Sequence, residues 1–152
     1  CNALEEKYAK ICWRYQSSYF AIISKQDWRK IADLCLQVPP LYTDSCFITI
    51  GTNQVGFTSS LQTMKEDCGL MPTDHFQDIC VGGVVSSLSY RFVGDAEKMV
   101  EFCSMAEPKN QETCFKQIGS GMSDWNSDKA LAKESCKKIP NPQGSSWCQS
   151  AI

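Results

Sequence analysis

Ten cysteines punctuate a chain of 152 residues, at Cys1, Cys12, Cys35, Cys46, Cys68, Cys80, Cys103, Cys114, Cys136 and Cys148. Thiols at this density can pair, ligate a metal or exchange electrons. Structural zinc sites need tight C-x2–4-C pairs, and none occurs; His75 is the only histidine. Copper storage needs several thiols on one helix face, whereas the spacing here allots one cysteine to each predicted helix. A redox dithiol needs C-x-x-C, which is absent as well. Disulfides in an oxidising compartment remain, in a secreted, periplasmic or cell-surface protein, with neither metal nor cofactor expected.

Other residues offer weaker chemistry. His75 follows Asp74, but no G-x-S-x-G elbow accompanies it, and Gly119-Ser120-Gly121 is the nearest glycine-flanked serine. Asp124-Trp125-Asn126-Ser127-Asp128 opens like a calcium loop, yet the required glycine and bidentate acid are replaced by Lys129 and Ser135. Glu5-Glu6 and Glu66-Asp67 are adjacent on helices, the pattern of a solvated face. Aromatic residues are more suggestive. Trp13, Tyr15, Tyr19, Phe20 and Trp28 crowd the first unit, and one helix cannot bury 13, 15, 19 and 20 on a single stripe. Core packing against a preceding repeat accounts for some of them and a binding surface for the rest; Trp13, Tyr19, Phe20 and Trp28 are the candidate partner-binding residues.

The elements that carry these residues follow from the cysteine beat. Successive separations are 11, 23, 11, 22, 12, 23, 11, 22 and 12, a unit of about 34 residues. Eight residues before Cys35, Cys68, Cys103 and Cys136 stand Asp27, Ser60, Asp95 and Asp128, all residues that cap a helix N-terminus. A short helix B is predicted from each cap to its cysteine. Prolines at Pro39-Pro40, Pro72, Pro108 and Pro140 to Pro142 precede the other cysteines, and a helix A is predicted to begin a few residues after them. Four residues beyond its cysteine, helix A carries Ile50, Val84 or Ile118, which extend a buried stripe. Gly51 and Gly119 beside that stripe, and Gly82-Gly83, suit close helix approach. The first helix A is expected to be the longest, with Leu4, Tyr8, Ile11, Cys12, Tyr15, Tyr19, Ile22 and Ile23 on one stripe.

The expected fold is all-α: one domain over 1–152 made of αα-hairpin repeats, stacked as a short disulfide-stapled α-solenoid. Its units span about 1–35, 36–68, 69–103 and 104–136, with a partial unit at 137–152. Two pairings fit the spacing. Joining across the short step gives 1–12, 35–46, 68–80, 103–114 and 136–148. Joining across the long step gives 12–35, 46–68, 80–103 and 114–136, and strands Cys1 and Cys148. The first uses every thiol and is preferred.

Net charge is -2 with basic residues dispersed, which gives no field for nucleic acid or an anionic membrane. No apolar run approaches the roughly 18 residues of a membrane helix. No secretion signal begins the sequence and both ends fall mid-repeat, so a mature form or an excerpt of a longer array is expected.

Period, helix pairing and cysteine placement resemble the secreted, cysteine-rich, tetratricopeptide-like α-solenoids of bacteria, at the level of architecture. A looser likeness links Cys46-Phe47-Ile48-Thr49-Ile50-Gly51-Thr52 and Cys114-Phe115-Lys116-Gln117-Ile118-Gly119-Ser120 to secreted bacterial repeats bearing C-[YF]-H-G-x-G-H. Both histidines are missing, so no metal or catalytic role carries over. The expectation is an extracytoplasmic structural or protein-interaction module, a subunit of a larger surface or filamentous assembly, engaging other protein subunits, copies of itself among them. A secreted hydrolase or metal-binding repeat protein is the alternative reading.

Overall fold

The computed structural model describes all 152 residues, which form ten helices and no strand. In chain order these are α1 (Glu6–Arg14), α2 (Gln16–Ile23), α3 (Trp28–Cys35), α4 (Pro40–Phe57), α5 (Leu61–Gly69), α6 (Asp74–Arg91), α7 (Glu97–Met105), α8 (Pro108–Trp125), α9 (Lys129–Lys137) and α10 (Pro142–Ser150). The long helices α4, α6 and α8 each have 18 residues. They pack side by side in chain order, α4 on α6, α6 on α8 and α8 on α10, with the short helices set against them.

Local chemistry starts and stops these helices. Three helices begin on the proline itself, at Pro40, Pro108 and Pro142, rather than a few residues beyond it. Proline's missing N–H costs nothing at the first helical position, and its fixed φ suits the helix. Thr73 caps α6 by accepting from the Phe76 N–H at 3.3 Å. The short helices are capped by Asp27, Ser60 and Asp128, which accept from the N–H groups of Lys30, Thr63 and Ala130. The Lys30 amide holds the Asp27 carboxyl below its ordinary range, with the Lys30 ammonium reinforcing it. In α7 the cap position falls on Ala96, and Asp95 accepts from the Glu97 N–H from one residue further out. Gly94 supplies the left-handed turn before it, at φ 84°.

The first long helix departs from expectation. It is no longer than the others, spanning residues 6–23, and it is interrupted at Tyr15. There Ser18 N–H bonds the Tyr15 carbonyl three residues back, a single tightened turn.

Five disulfides join the chain across the short steps: Cys1–Cys12, Cys35–Cys46, Cys68–Cys80, Cys103–Cys114 and Cys136–Cys148, with Cα–Cα distances of 5.5 to 5.7 Å. The last four ties each run from a short helix to the next helix in the chain and are buried. They line one continuous core of 31 side chains that includes Phe47, Phe102, Phe115, Ile31 and Ile118. One hydrophobic core thus runs past these four ties, while Cys1–Cys12 lies outside it.

One core position breaks the pattern. Gln54, Leu88 and Met122 recur at 34-residue intervals and are all fully buried. The Met122 sulfur lies 3.7 and 4.0 Å from the sulfurs of Cys136 and Cys148, in plain van der Waals contact. Gln54 occupies the same place over Cys68–Cys80, with Nε2 3.7 Å from the Cys80 sulfur and Oε1 3.9 Å from that of Cys68. A disulfide sulfur carries no proton, so Oε1 receives no hydrogen bond there, and a buried carbonyl without a donor costs about 1–3 kcal/mol. Gln54→Met is therefore expected to raise stability by about 1–2 kcal/mol in urea unfolding. A lower denaturation midpoint would mean that the amide is satisfied in solution.

Candidate functional site

The stripe read from the first unit lies on the outside. Leu4, Tyr8, Ile11, Tyr15, Tyr19, Ile22 and Ile23 are each about half exposed or more, and Ile22 reaches 74%. They make up seven of the fourteen large hydrophobic side chains exposed anywhere on the protein, within its first 23 residues. Helical spacing of three and four residues lines Tyr8, Ile11, Tyr15, Tyr19 and Ile22 along one face. The opposite face is seated on α4: Ala9, Ser17 and Ala21 are buried, small enough for the helices to meet. Charges border the stripe, with Glu5 and Lys7 paired at 3.2 Å at its start and Lys25 beyond its end. Such a surface offers aromatic and aliphatic groups that a contact would desolvate.

The four aromatic candidates from the sequence divide. Tyr19 is 55% exposed and stands in the stripe. Trp28 does not: at 8% exposure it is part of the core, edge-on to Phe57 at 5.9 Å. It opens α3 directly after the Asp27 cap, and that position faces α2 and α4 rather than solvent. Trp13 and Phe20 are half-buried against the core, and Trp13 stacks on Tyr42 of the next long helix at 6.3 Å. Trp13 and Phe20 thus serve packing between units, which leaves Tyr19 as the open aromatic of the four. Tyr8 completes the stripe, and the i, i+4 spacing from Tyr8 through Cys12 was the signal for it.

A second feature is a groove of about 530 Å³ where α7, α8 and α9 meet. Val93, Val100, Met122, Trp125 and Ile139 supply its apolar wall, and Glu97, Ser135 and Lys138 add polar groups. The volume falls within the range of small-molecule sites. Sequence spacing gave no hint of it, because its walls come from residues up to 47 positions apart, from Val93 to Pro140.

The remaining candidates do not assemble a reactive centre. His75 is exposed, with Nε2 3.1 Å from Asp44 Oδ1 and its ring against Phe76. The Ser120 hydroxyl is turned onto the Lys116 carbonyl, so neither residue addresses the other. Asp128 is occupied as a helix cap. Burial first, and the neighbouring Glu66 charge second, hold the Asp67 carboxyl above its ordinary range. No group of three or more histidine, cysteine or acidic side chains is placed to hold a metal ion. Every cysteine is paired, which suits an oxidising extracellular environment. No helix is long and apolar enough to cross a membrane. Comparison with family models, curated protein sequences and solved structures finds no match for this chain.

Proposed function

We propose that this protein is an extracytoplasmic interaction module, secreted or displayed at a cell surface, whose stapled helical row presents the α1–α2 face to a protein partner. The single observation that carries this reading is the concentration of half the exposed large hydrophobic side chains on that face. An uncovered stripe of this kind is what monomeric proteins avoid and interfaces use. Four buried disulfides behind it hold the row stiff, so binding loses little order at the contact surface. The architecture read from the sequence, a solenoid of stapled hairpins, supports the same role, since such rows work by rigid extended surfaces.

Photo-crosslinking from residue 19 and from residue 75 in the native extracellular fraction tests the proposal. A protein adduct is expected from residue 19 and none from residue 75. With the captured partner, Tyr19→Ala should weaken binding by roughly 30-fold, the loss typical of an anchor aromatic, while His75→Ala leaves affinity unchanged. A turnover that survives Tyr19→Ala and dies with His75→Ala would transfer the assignment to the enzyme reading.

The groove supports a second reading, capture of a small apolar molecule against Trp125. Its indole forms part of the wall and reports occupancy by fluorescence.

A further inference from the structure

The open face of α1–α2 has counterparts later in the chain: those of Tyr8, Tyr15 and Tyr19 are buried or half-buried, while Gly56 and Tyr90, at the place of Ile22, are open. Thirty-four residues after Tyr8 stands Tyr42, stacked on Trp13 of the preceding helix, and 34 further on Phe76 stacks on Phe47 at 3.9 Å. In place of Tyr15 the next units have Thr49, whose hydroxyl donates to the Arg14 carbonyl, and Gly83, which sits against the Ile48 carbonyl. In place of Tyr19 stands Asn53, bonded to the hydroxyls of Ser17 and Ser18. These are the positions at which each long helix receives the one before it. On α1–α2 the same positions are Tyr8, Tyr15 and Tyr19, more than half exposed.

We infer that a second copy of this chain covers the face, its α1–α2 packed antiparallel across a two-fold axis at Tyr15. The inference rests on the interaction-module reading above and names the partner. An isologous contact needs a surface complementary to itself. Antiparallel packing centred on residue 15 sets Tyr8 opposite Ile22 and Ile11 opposite Tyr19, so that these two tyrosines each meet an aliphatic side chain, and Tyr15 meets its own copy at the axis. The same symmetry brings Glu5, ahead of α1, to Lys25, beyond α2, and the borders of the stripe attract.

Size agrees with a closed pair. Large side chains bury roughly 150–250 Å² each, so the stripe at half exposure amounts to roughly 600–800 Å², near the ~800 Å² per partner of a standard interface. A head-to-tail contact is less well matched. It would lay α1–α2 on the outer face of α10, where Gln149 stands at the position held by Trp13, Phe47, Val81 and Phe115 in the other units. Tyr8 would find no aromatic ring there.

The test is the mass of the disulfide-intact chain by analytical ultracentrifugation between about 1 and 100 µM, across the range of moderate affinities. Twice the 17.0 kDa of one chain is expected. Ile11→Arg and Tyr15→Arg should each raise the dimer dissociation constant at least 100-fold with the helical circular dichroism unchanged. Should either fail to fold, the other decides. Glu5→Lys alone should weaken the dimer, and adding Lys25→Glu should restore it. A monomer at 100 µM overturns the inference, while an adduct from residue 19 to a different protein would leave the interaction module standing. A dimer indifferent to both arginine substitutions overturns the choice of face. A double charge exchange that fails to restore association overturns the antiparallel register.

Discussion

Alanine at Gly83 is expected to lower the stability of this protein by about 3 kcal/mol, while alanine one residue earlier, at Gly82, raises it by about 0.5–1 kcal/mol. Both glycines lie inside α6, where glycine is the poorer helix former. A Cβ at Gly82 meets nothing within 4 Å, so the substitution collects the gain in helix propensity alone. A Cβ at Gly83 would stand 2.1 Å from the Ile48 carbonyl oxygen of α4. That obstacle is backbone, and no rotamer change removes it; α4 and α6 must separate. The contact is reciprocal, because a Cβ at Gly51 of α4 would stand 2.0 Å from the Cys80 carbonyl of α6. Once one alanine has forced the helices apart, the second meets less resistance. The double variant Gly51→Ala/Gly83→Ala should therefore cost less than the two single losses combined. Thermal or urea unfolding of the four variants checks this, with midpoints for Gly82→Ala and Gly83→Ala moving in opposite directions. Equal shifts at the two positions would mean that α4 and α6 are not in backbone contact.

Removing the Cys103–Cys114 tie, with alanine at both positions, is expected to cost at least about 3 kcal/mol. The loop it closes has a sequence separation of 11, and releasing a loop of that size gives the unfolded chain about 3 kcal/mol of entropy in the chain-entropy account. Both cysteines are fully buried in the core beside Phe102 and Phe115, so the lost sulfurs also leave a cavity. The Cys1–Cys12 tie closes a loop of the same length, but its cysteines are only half-buried at the edge of the row. Its removal should cost the loop entropy with little cavity penalty. Urea unfolding followed by tryptophan fluorescence should show the larger loss for the Cys103→Ala/Cys114→Ala protein. Mild reduction should open Cys1–Cys12 first, because a thiolate can reach its sulfurs without unfolding the core. Equal losses for the two pairs would place their stabilisation wholly in the unfolded chain.

Spacing along the chain was enough to determine the all-helical class, the 34-residue beat, the caps at Asp27, Ser60 and Asp128, and the close approach at Gly51 and Gly119. These depend on partners a few residues away, or on a periodic pattern that repeats wherever the same contact repeats. The choice of disulfides across the short step also followed locally, since only that pairing uses every thiol. The fate of individual side chains on a helix was decided by something else. Trp28, expected at a surface, became core because α2 and α4 close over it. Gly82 and Gly83 are indistinguishable by type, and only the position of the Ile48 carbonyl separates open space from backbone contact. Gln54 entered the core because its place in the repeat belongs to Leu88 and Met122, against the preference of its own amide. The stripe from Tyr8 to Ile22 was visible as a stripe, but a hydrophobic period reads the same whether or not a neighbour covers it. What covers a face is settled by helices 34 residues away in sequence, and periodicity within one helix carries no record of them.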